Sequence, residues 1–535
     1  MLFNSYLFIF LFLPLALLGW YGLNRIKCYQ GAQIFLIGMS LWFYAYFNVG
    51  YLPIILFSCA VNYLLSALLA GAEKRAGARI ESSAEKRVGV RIQNGTDERD
   101  AAQKEKIHTN TGSSAKADVL ARYRRIVRIA GCVCNLGILG YFKYYDFFIE
   151  NLNAALSTDF SVKHILLPLG ISFFTFQQLS FVLDRCRGEA AHYGIVDYLT
   201  FVTFFPQLIA GPIVLHSELV PQFQNLKKRT FHADSFARGI AYFVIGLSKK
   251  VLLADLFAKP ADFGFANIDG LDSVSLALSA LAYMLQLYFD FSGYCDMAVG
   301  IGKMFGVELP QNFNSPYQAV SIRDFWRRWH ITLGRFFTTY VYIPLGGSRR
   351  GKLRTMRNTM IVFFLSGLWH GANWTFVVWG LLYGLAMVVN IWFPVSEKDG
   401  KRHVFCHIAT FLFHYLAFIV FRSETIADAI RYLKGLFSMT YFHSLQAVAG
   451  AMEVPELYIV EKFLSMRAPR HVVTLHMAEL FFALAVGMLL ITRKNARQRI
   501  EGRVLTGRFA GGLAILFVWS VISLSGVSTF LYFNF

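Results

Sequence analysis

Charge is scarce in this chain of 535 residues: Asp, Glu, Lys and Arg together make up 16% of it, well under the share usual in soluble domains. Acidic residues are scarcer still, 33 against 52 basic ones, which leaves a formal net charge of +19. Cysteine pairs are absent. The seven cysteines, Cys28, Cys59, Cys132, Cys134, Cys186, Cys295 and Cys406, form no CxxC spacing, and most lie in or beside apolar segments. That argues against a disulfide framework or a zinc site and reads them as small buried hydrophobes. No internal repeat is visible, although a repeat-built transporter should show one. No basic residue precedes the apolar stretch 1–21, and no small-x-small cleavage site is apparent in it. It is therefore expected to stay as a first span rather than to leave as a signal peptide.

Apolar residues fill the space that charge vacates. The chain is 56% hydrophobic and 16% aromatic, with 52 Phe, and its mean hydropathy is +0.45. Multi-span membrane proteins have this composition. A net charge of +19 raises nucleic acid as a partner, but the basic residues sit mainly between apolar spans, where membrane topology accounts for them. No nucleic-acid partner is expected.

Arg25 and Lys27 follow the first span and place that end in the cytosol. Residues 34–47 then run outward and 51–69 return. Residues 71–128 are rich in Lys, Arg, Glu, Ser and Gly and poor in aromatics, and form a poor core. They are expected to be a charged cytosolic loop, disordered or helical in part. Further spans are expected near 126–148, 165–183, 198–214, 236–253, 275–291, 359–370, 374–393, 403–421, 478–491 and 509–530. Several are short or broken, as at Leu167-Pro168-Leu169-Gly170 and Ile209-Ala210-Gly211-Pro212. Irregular backbone at membrane depth survives only against protein or a water-filled cavity. The fold class expected is an all-α polytopic membrane protein whose middle third is a compact core around a cavity.

Within the apolar run Phe364-Leu365-Ser366-Gly367-Leu368-Trp369-His370-Gly371-Ala372-Asn373-Trp374 stands one ionisable group, His370. A helix climbing from Asn358 would carry it about 18 Å into the bilayer, near the middle of a hydrocarbon core about 30 Å thick. Such residues are costly there and mark sites. His330 closes the amphipathic segment Ser321-Ile322-Arg323-Asp324-Phe325-Trp326-Arg327-Arg328-Trp329, which suits a helix at the cytosolic interface. Two histidines without a thiol or carboxylate cluster argue against a metal site. They suit acid–base chemistry, in which a neutral imidazole accepts a hydroxyl proton while the oxygen attacks a thioester or ester carbonyl. His164, His216, His407 and His414 are read as packing residues.

Other polar groups near these runs have two readings each. Asp290 and Asp296 either line a tunnel or orient an imidazole, or they pair with Arg323, Arg327 or Arg328, since carboxylates near an apolar span are costly unless paired. The arginines either grip carrier or coenzyme phosphates or anchor an interface helix. Asn373 either lines the His370 pocket or caps the helix that starts at Trp374. The candidates for substrate contact or tunnel lining are Asp324, Trp326, Arg327, Arg328, Trp369, Asn373, Asp290 and Gln177. An alternative reading of the whole chain is a transporter or scaffold that conducts acyl groups or glycan without catalysing transfer.

Seven stretches occur in order: Gly170-Ile171-Ser172-Phe173-Phe174-Thr175-Phe176-Gln177, Phe204-Phe205-Pro206-Gln207-Leu208-Ile209-Ala210-Gly211-Pro212, Tyr288-Phe289-Asp290-Phe291-Ser292-Gly293-Tyr294-Cys295-Asp296-Met297, Phe325-Trp326-Arg327-Arg328-Trp329-His330, Tyr342-Ile343-Pro344-Leu345-Gly346-Gly347, Leu368-Trp369-His370-Gly371-Ala372-Asn373-Trp374 and Phe530-Leu531-Tyr532-Phe533-Asn534-Phe535. Together they resemble the membrane-bound O-acyltransferase family, and within it the bacterial alginate O-acetyltransferase-like branch. The resemblance implies roughly 11–13 transmembrane or re-entrant helices ringed around a central funnel or tunnel. It implies helices 1–70, the loop 71–128, a catalytic core 129–395 and C-terminal helices with an interfacial connection, 396–535. The family's catalytic histidine falls on His370 and its second functional histidine on His330.

The reaction implied moves an acyl group from a thioester to a hydroxyl. The donor substrate would be acetyl-CoA or another acyl thioester, with no permanently bound cofactor. The acceptor would be an extracytoplasmic polysaccharide of alginate, cellulose or peptidoglycan type, reached directly or through an extracytoplasmic acetyltransferase partner. The place would be the bilayer of the bacterial cytoplasmic (inner) membrane, crossed many times. A related D-alanyl-transfer branch shares both histidines but usually lacks the Ile343-Pro344-Leu345-Gly346-Gly347 segment. The stretch 71–128 is longer and more charged than the family's usual connection.

Overall fold

The computed structural model describes residues 1–93, 98–394, 400–452, 454–524 and 530–531. It is helical, with no strand among the described residues. The first third holds α1 (Leu13–Arg25), α2 (Tyr29–Ala45), α3 (Leu52–Gln93), α4 (Glu98–Leu139), α5 (Tyr145–Leu156) and α6 (Ile171–Arg187). The middle holds α7 (Ala233–Ser248), α8 (Ser273–Met304), α9 (Ile322–Arg328), α10 (Ile331–Phe337) and α11 (Lys352–His370). Then come α12 (Trp374–Trp392), α13 (Gly400–Arg422), α14 (Pro469–Ile491) and α15 (Gly507–Ile522), with shorter helices between.

Among the described residues seven segments are long and apolar enough to cross a membrane: Phe8–Arg25, Val49–Arg75, Asp118–Leu156, Ser273–Met304, Trp374–Trp392, Val404–Arg422 and Arg470–Ile491. Of the other expected spans, 236–253 and 359–370 lie in unbroken helices that are long enough but not apolar enough, and the rest are shorter or broken. Residues 157–170 form no helix, and the expected span 165–183 begins only at Ile171. Gly170, at φ +72°, leads into it; a Cβ there would lie 2.8 Å from the carbonyl oxygen of Leu208. The expected span 198–214 is two short helices that part at Phe204, followed by non-helical chain. Residues 71–93 and 98–128 continue α3 and α4 as helix, while 94–97 lie outside the described residues.

α8 is the axis of the bundle. Its apolar window is 78% buried, against 44% or less in the other six. Close approach of α7 and α8 explains this. Gly239 and Gly246 on α7 face Gly300 and Gly293 on α8, and a Cβ on Gly246 would lie 2.5 Å from the carbonyl oxygen of Gly293. Small residues let helix backbones meet where lipid supplies no hydrophobic drive. α11 and α12 meet in the same way, through Gly367 and Gly380.

The α7–α8 contact corrects one expectation. Asp290 and Asp296 do not pair with the arginines of 323–328. Lys250 Nζ lies 2.8 Å from Asp290 and 2.7 Å from Asp255, and Lys249 Nζ lies 2.6 Å from Asp296. The two lysines sit in a π-helical turn, Lys249–Ala254, that continues α7. The glycine contact brings that turn against α8, whereas Arg328 is taken by Asp324 four residues earlier, at 2.9 Å. Asp290 also accepts from the Leu531 backbone N–H at 2.9 Å. Residues 532–535 of the terminal motif lie outside the described residues.

α11 also starts earlier than expected. It begins at Lys352, after Gly351 at φ +89°, and not at Asn358. His370 is its last residue, about 27 Å along the axis from Lys352.

Candidate functional site

The C-terminus of α11 presents Leu368, Trp369 and His370 with carbonyls that the helix itself cannot satisfy. A π-helical turn, Gly140–Tyr144, supplies the donors. Lys143 Nζ donates to the carbonyl oxygens of Trp369 (2.5 Å) and His370 (3.0 Å), and the Tyr144 hydroxyl donates to that of Leu368 (2.6 Å). A cation near a helix C-terminus is favourable. Neither residue was among the sequence candidates. Lys143 could have been found there, because an ionisable group inside the expected 126–148 span meets the same cost as His370.

His370 is buried and ringed by aromatics. Its imidazole lies 5.0 Å from the ring of Trp369, 5.1 Å from Trp379 and 5.4 Å from Phe421, between centroids. Trp369 also meets the His330 ring at 6.0 Å and packs on Phe173 and Phe176. One tryptophan thus touches both imidazoles, and His330 and Lys143 both lie within electrostatic reach of His370. The structure brings the two histidines together.

His330 is fully buried and caps α10 in the left-handed region, at φ 45° and ψ 51°. A non-glycine residue keeps such a backbone only where its surroundings over-determine it. Asn312 does so. Its carbonyl oxygen accepts from the Thr332 backbone N–H (3.2 Å) and hydroxyl (2.9 Å), and its amide donates to Cys295 Sγ at 3.3 Å. The same oxygen lies 3.2 Å from His330 Nδ1. A backbone N–H can only donate, so the Asn312 oxygen is an acceptor and Nδ1 of His330 carries the hydrogen. A neutral His330 then presents Nε2 as an acceptor. Asn312 carried no sequence signal, since it lies in a coil that only the fold brings beneath α10.

Two cavities approach the end of α11. The larger, about 700 Å³, is lined by Arg323, Trp326 and Arg327 and runs along α11 from Thr355 to Ser366, one helical turn short of His370. The smaller, about 40 Å³, is lined by His370, Trp369 and Lys143 together with the broken segment 167–170 and Ile209. Trp326 links the two regions, edge-on to Trp379 at 6.0 Å; Trp379 in turn touches His370.

The remaining candidates separate. Asp324 accepts from Arg328 and from the Val320 backbone N–H, which places both side chains in the local frame of α9 rather than on a cavity. Asn373 accepts from the Thr375 N–H at 3.0 Å and donates to the Glu424 carbonyl, so it caps α12 and lines neither cavity. Gln177 is buried on α6 next to Phe176, also outside both cavities. His216 binds Asp184 and Tyr193, His407 contacts the Ala319 carbonyl and His414 the Tyr383 hydroxyl. Among the described residues no three His, Cys, Asp or Glu side chains group as metal ligands.

The description of the membrane-bound O-acyltransferase family matches residues 154–423, which contain His330 and His370. A peptidoglycan O-acetyltransferase of Helicobacter pylori is 39% identical over 472 residues, covering 82% of this chain and 80% of that protein. A protein of Azotobacter vinelandii named "Probable alginate O-acetylase AlgI" is 37% identical over 443 residues, 82% of this chain and 78% of its own length. A teichoic acid D-alanyltransferase of Bacillus subtilis is 28% identical over 272 residues, 48% of this chain and 69% of its own.

Proposed function

Because this chain belongs to the membrane-bound O-acyltransferase family and is an O-acyltransferase, we propose that it moves an acetyl group from a cytosolic thioester to hydroxyls outside the cytoplasmic membrane. The donor is acetyl-CoA or another acyl thioester. The acceptor is a polysaccharide of alginate, cellulose or peptidoglycan type, as the names of its relatives suggest, reached directly or through an extracytoplasmic acetyltransferase partner.

One observation carries the reading: His370 lines the smaller cavity and stands one helical turn beyond the end of the larger one. The larger cavity has Arg323 and Arg327 at its mouth and the basic start of α11 beside it, which the positive-inside rule assigns to the cytosol. A thioester entering there has cations for its phosphates and reaches the level of Ser366. The smaller cavity lies against the non-helical segment 167–170, on the side to which α5 leads. An acceptor hydroxyl enters there.

In this reading His370 takes the hydroxyl proton as the oxygen bonds to the thioester carbonyl carbon. The C–S bond then breaks, and the proton leaves with the thiol. His330 offers Nε2 only as an acceptor while it is neutral, so it assists by holding a proton rather than by polarising the donor carbonyl. Lys143, Tyr144 and Trp369 hold the end of α11 so that His370 is aimed, which matters because catalysis is sensitive to misplacement of about 1 Å.

The test is transfer of radiolabelled acetyl from a thioester to a hydroxyl acceptor by purified protein in proteoliposomes. His370→Ala should lose transfer while unfolding at the parent temperature. A His370→Ala protein that transfers at the parent rate removes the assignment, and passage of acetyl without thioester cleavage by the parent would favour a conducting role.

A further inference from the structure

A third cavity, about 560 Å³, shares no residue with the two that approach the end of α11. Its walls come from the α7 π-turn, α14 and α15, and include Leu252, Leu256, Phe482, Val486, Leu516 and Trp519. It opens sideways out of the bundle: Phe482 is 72% exposed and Trp519 47%, and in a membrane-spanning chain such a face meets lipid. From Glu479 to Leu490 the groove follows α14 for about 17 Å, close to one leaflet of a hydrocarbon core about 30 Å thick.

The two ends differ in charge. At the end of α14, Arg493, Lys494 and Arg499 line the mouth and are exposed. Among the described residues none of the three forms an ion pair with a carboxylate, whereas Lys249, Lys250 and Lys303 all do. Arg499 spends one donor on the Lys494 carbonyl, at 2.9 Å. The carboxylates lie at the far end. Glu456 there is taken by the Trp519 indole N–H (2.7 Å) and the Ser523 hydroxyl (2.6 Å), and Glu479 lies partway along α14.

We propose that this groove is a binding site for an anionic phospholipid of the leaflet on the basic side. Its acyl chains lie along Leu252, Leu256, Phe482 and Val486, and its phosphate meets Arg493, Lys494 and Arg499. An apolar slot of leaflet length that ends in uncompensated cations fits such a lipid, and a basic pocket between helices is the usual recognition chemistry for an anionic headgroup. Lys249, Tyr288 and Asn495 line both this groove and a polar cavity of about 550 Å³ that contains Asn312. A bound lipid therefore bears on the wall behind the His330 support.

The experiment measures lipids retained on the purified full chain by native mass spectrometry, with phosphatidylglycerol and phosphatidylcholine of identical acyl chains as probes. The parent should keep one phosphatidylglycerol in strong preference to phosphatidylcholine. Each basic residue near a membrane surface is worth about fivefold, so Arg493→Ala/Lys494→Ala/Arg499→Ala should cut the preference by about a hundredfold. Val486→Trp, which fills the slot and leaves the cations in place, should reduce retention of both lipids. Equal retention of the two lipids by the parent overturns the proposal. So does an unchanged preference in the triple variant, or unchanged retention in Val486→Trp, at the parent unfolding temperature.

Discussion

Replacing Asn312 with leucine removes an acceptor that three donors share: the Thr332 N–H, the Thr332 hydroxyl and His330 Nδ1. The hydroxyl can rotate, but the other two are held by backbone and ring. A buried donor left unsatisfied costs about 1–3 kcal/mol, so two of them cost about 2–6 kcal/mol, a large part of the stability usual for a folded domain. The left-handed backbone at His330 loses its support in the same step, and the hydrogen on Nδ1 is no longer assigned. Transfer should therefore fall by about 10–100-fold in kcat, the scale of a misplacement near 1 Å. Thr332→Val serves as the comparison. It loses its own bonds to Asn312 Oδ1 and Ile213 N but leaves the Asn312–His330 contact, so stability should drop by about 1–3 kcal/mol with kcat within a few-fold of the parent. The assay is acetyl transfer in proteoliposomes, with unfolding followed by tryptophan fluorescence. An Asn312→Leu protein that stays folded and keeps more than half of the parent kcat would refute the role given to Asn312. Loss of activity in Thr332→Val as great as in Asn312→Leu would refute it as well.

Two further outcomes test the fold. Gly246→Ala places a Cβ 2.5 Å from the Gly293 carbonyl oxygen and 2.7 Å from Met297 N. These are backbone atoms that cannot yield unless α7 and α8 part, and overpacking of this kind costs about 1–3 kcal/mol. The unfolding temperature should fall, whereas Gly137→Ala, inside α4 with nothing within 4 Å of the added carbon, should not lower it, since alanine favours a helix interior over glycine. The second concerns Asp272, which caps α8 and accepts from Ser275 and Ser444. Burial alone would raise its carboxyl, but these donors outweigh burial and hold it below the ordinary carboxylate range. A folded value below the unfolded one, about 3.9, means that its stabilisation is present above the unfolded value and is lost as pH falls towards the folded one. Asp272→Asn should unfold at a lower temperature than the parent at pH 6, and the gap should narrow between pH 5 and pH 3. A gap that stays constant or widens over that range would contradict the assignment.

What was legible in the sequence follows from local cost. An imidazole in an apolar run is expensive wherever the chain folds, so His370 marks itself, and by the same logic Lys143 could have done so. Composition alone imposes helices, because a bilayer leaves no partner for unpaired backbone. The breaks at 167–170 and 209–212 announced a cavity, and both border the small cavity at His370. The pairings were not legible. Asp290 has arginines of 323–328 in the next amphipathic segment, yet it is Lys250 that reaches it, because two glycine pairs let α7 and α8 touch. Asn373 had two readings; its oxygen takes the Thr375 N–H as a cap, and the Glu424 carbonyl, 51 residues away, holds its amide and keeps it out of the His370 pocket. Asn312 and His330 meet through a coil whose residues say nothing about where it passes. The sequence by itself determined which groups are too costly to be idle and that the chain is a helical membrane enzyme of this family. Only the tertiary structure decided which groups compensate one another, since that depends on contacts between helices distant in the chain, set by how closely their backbones can approach.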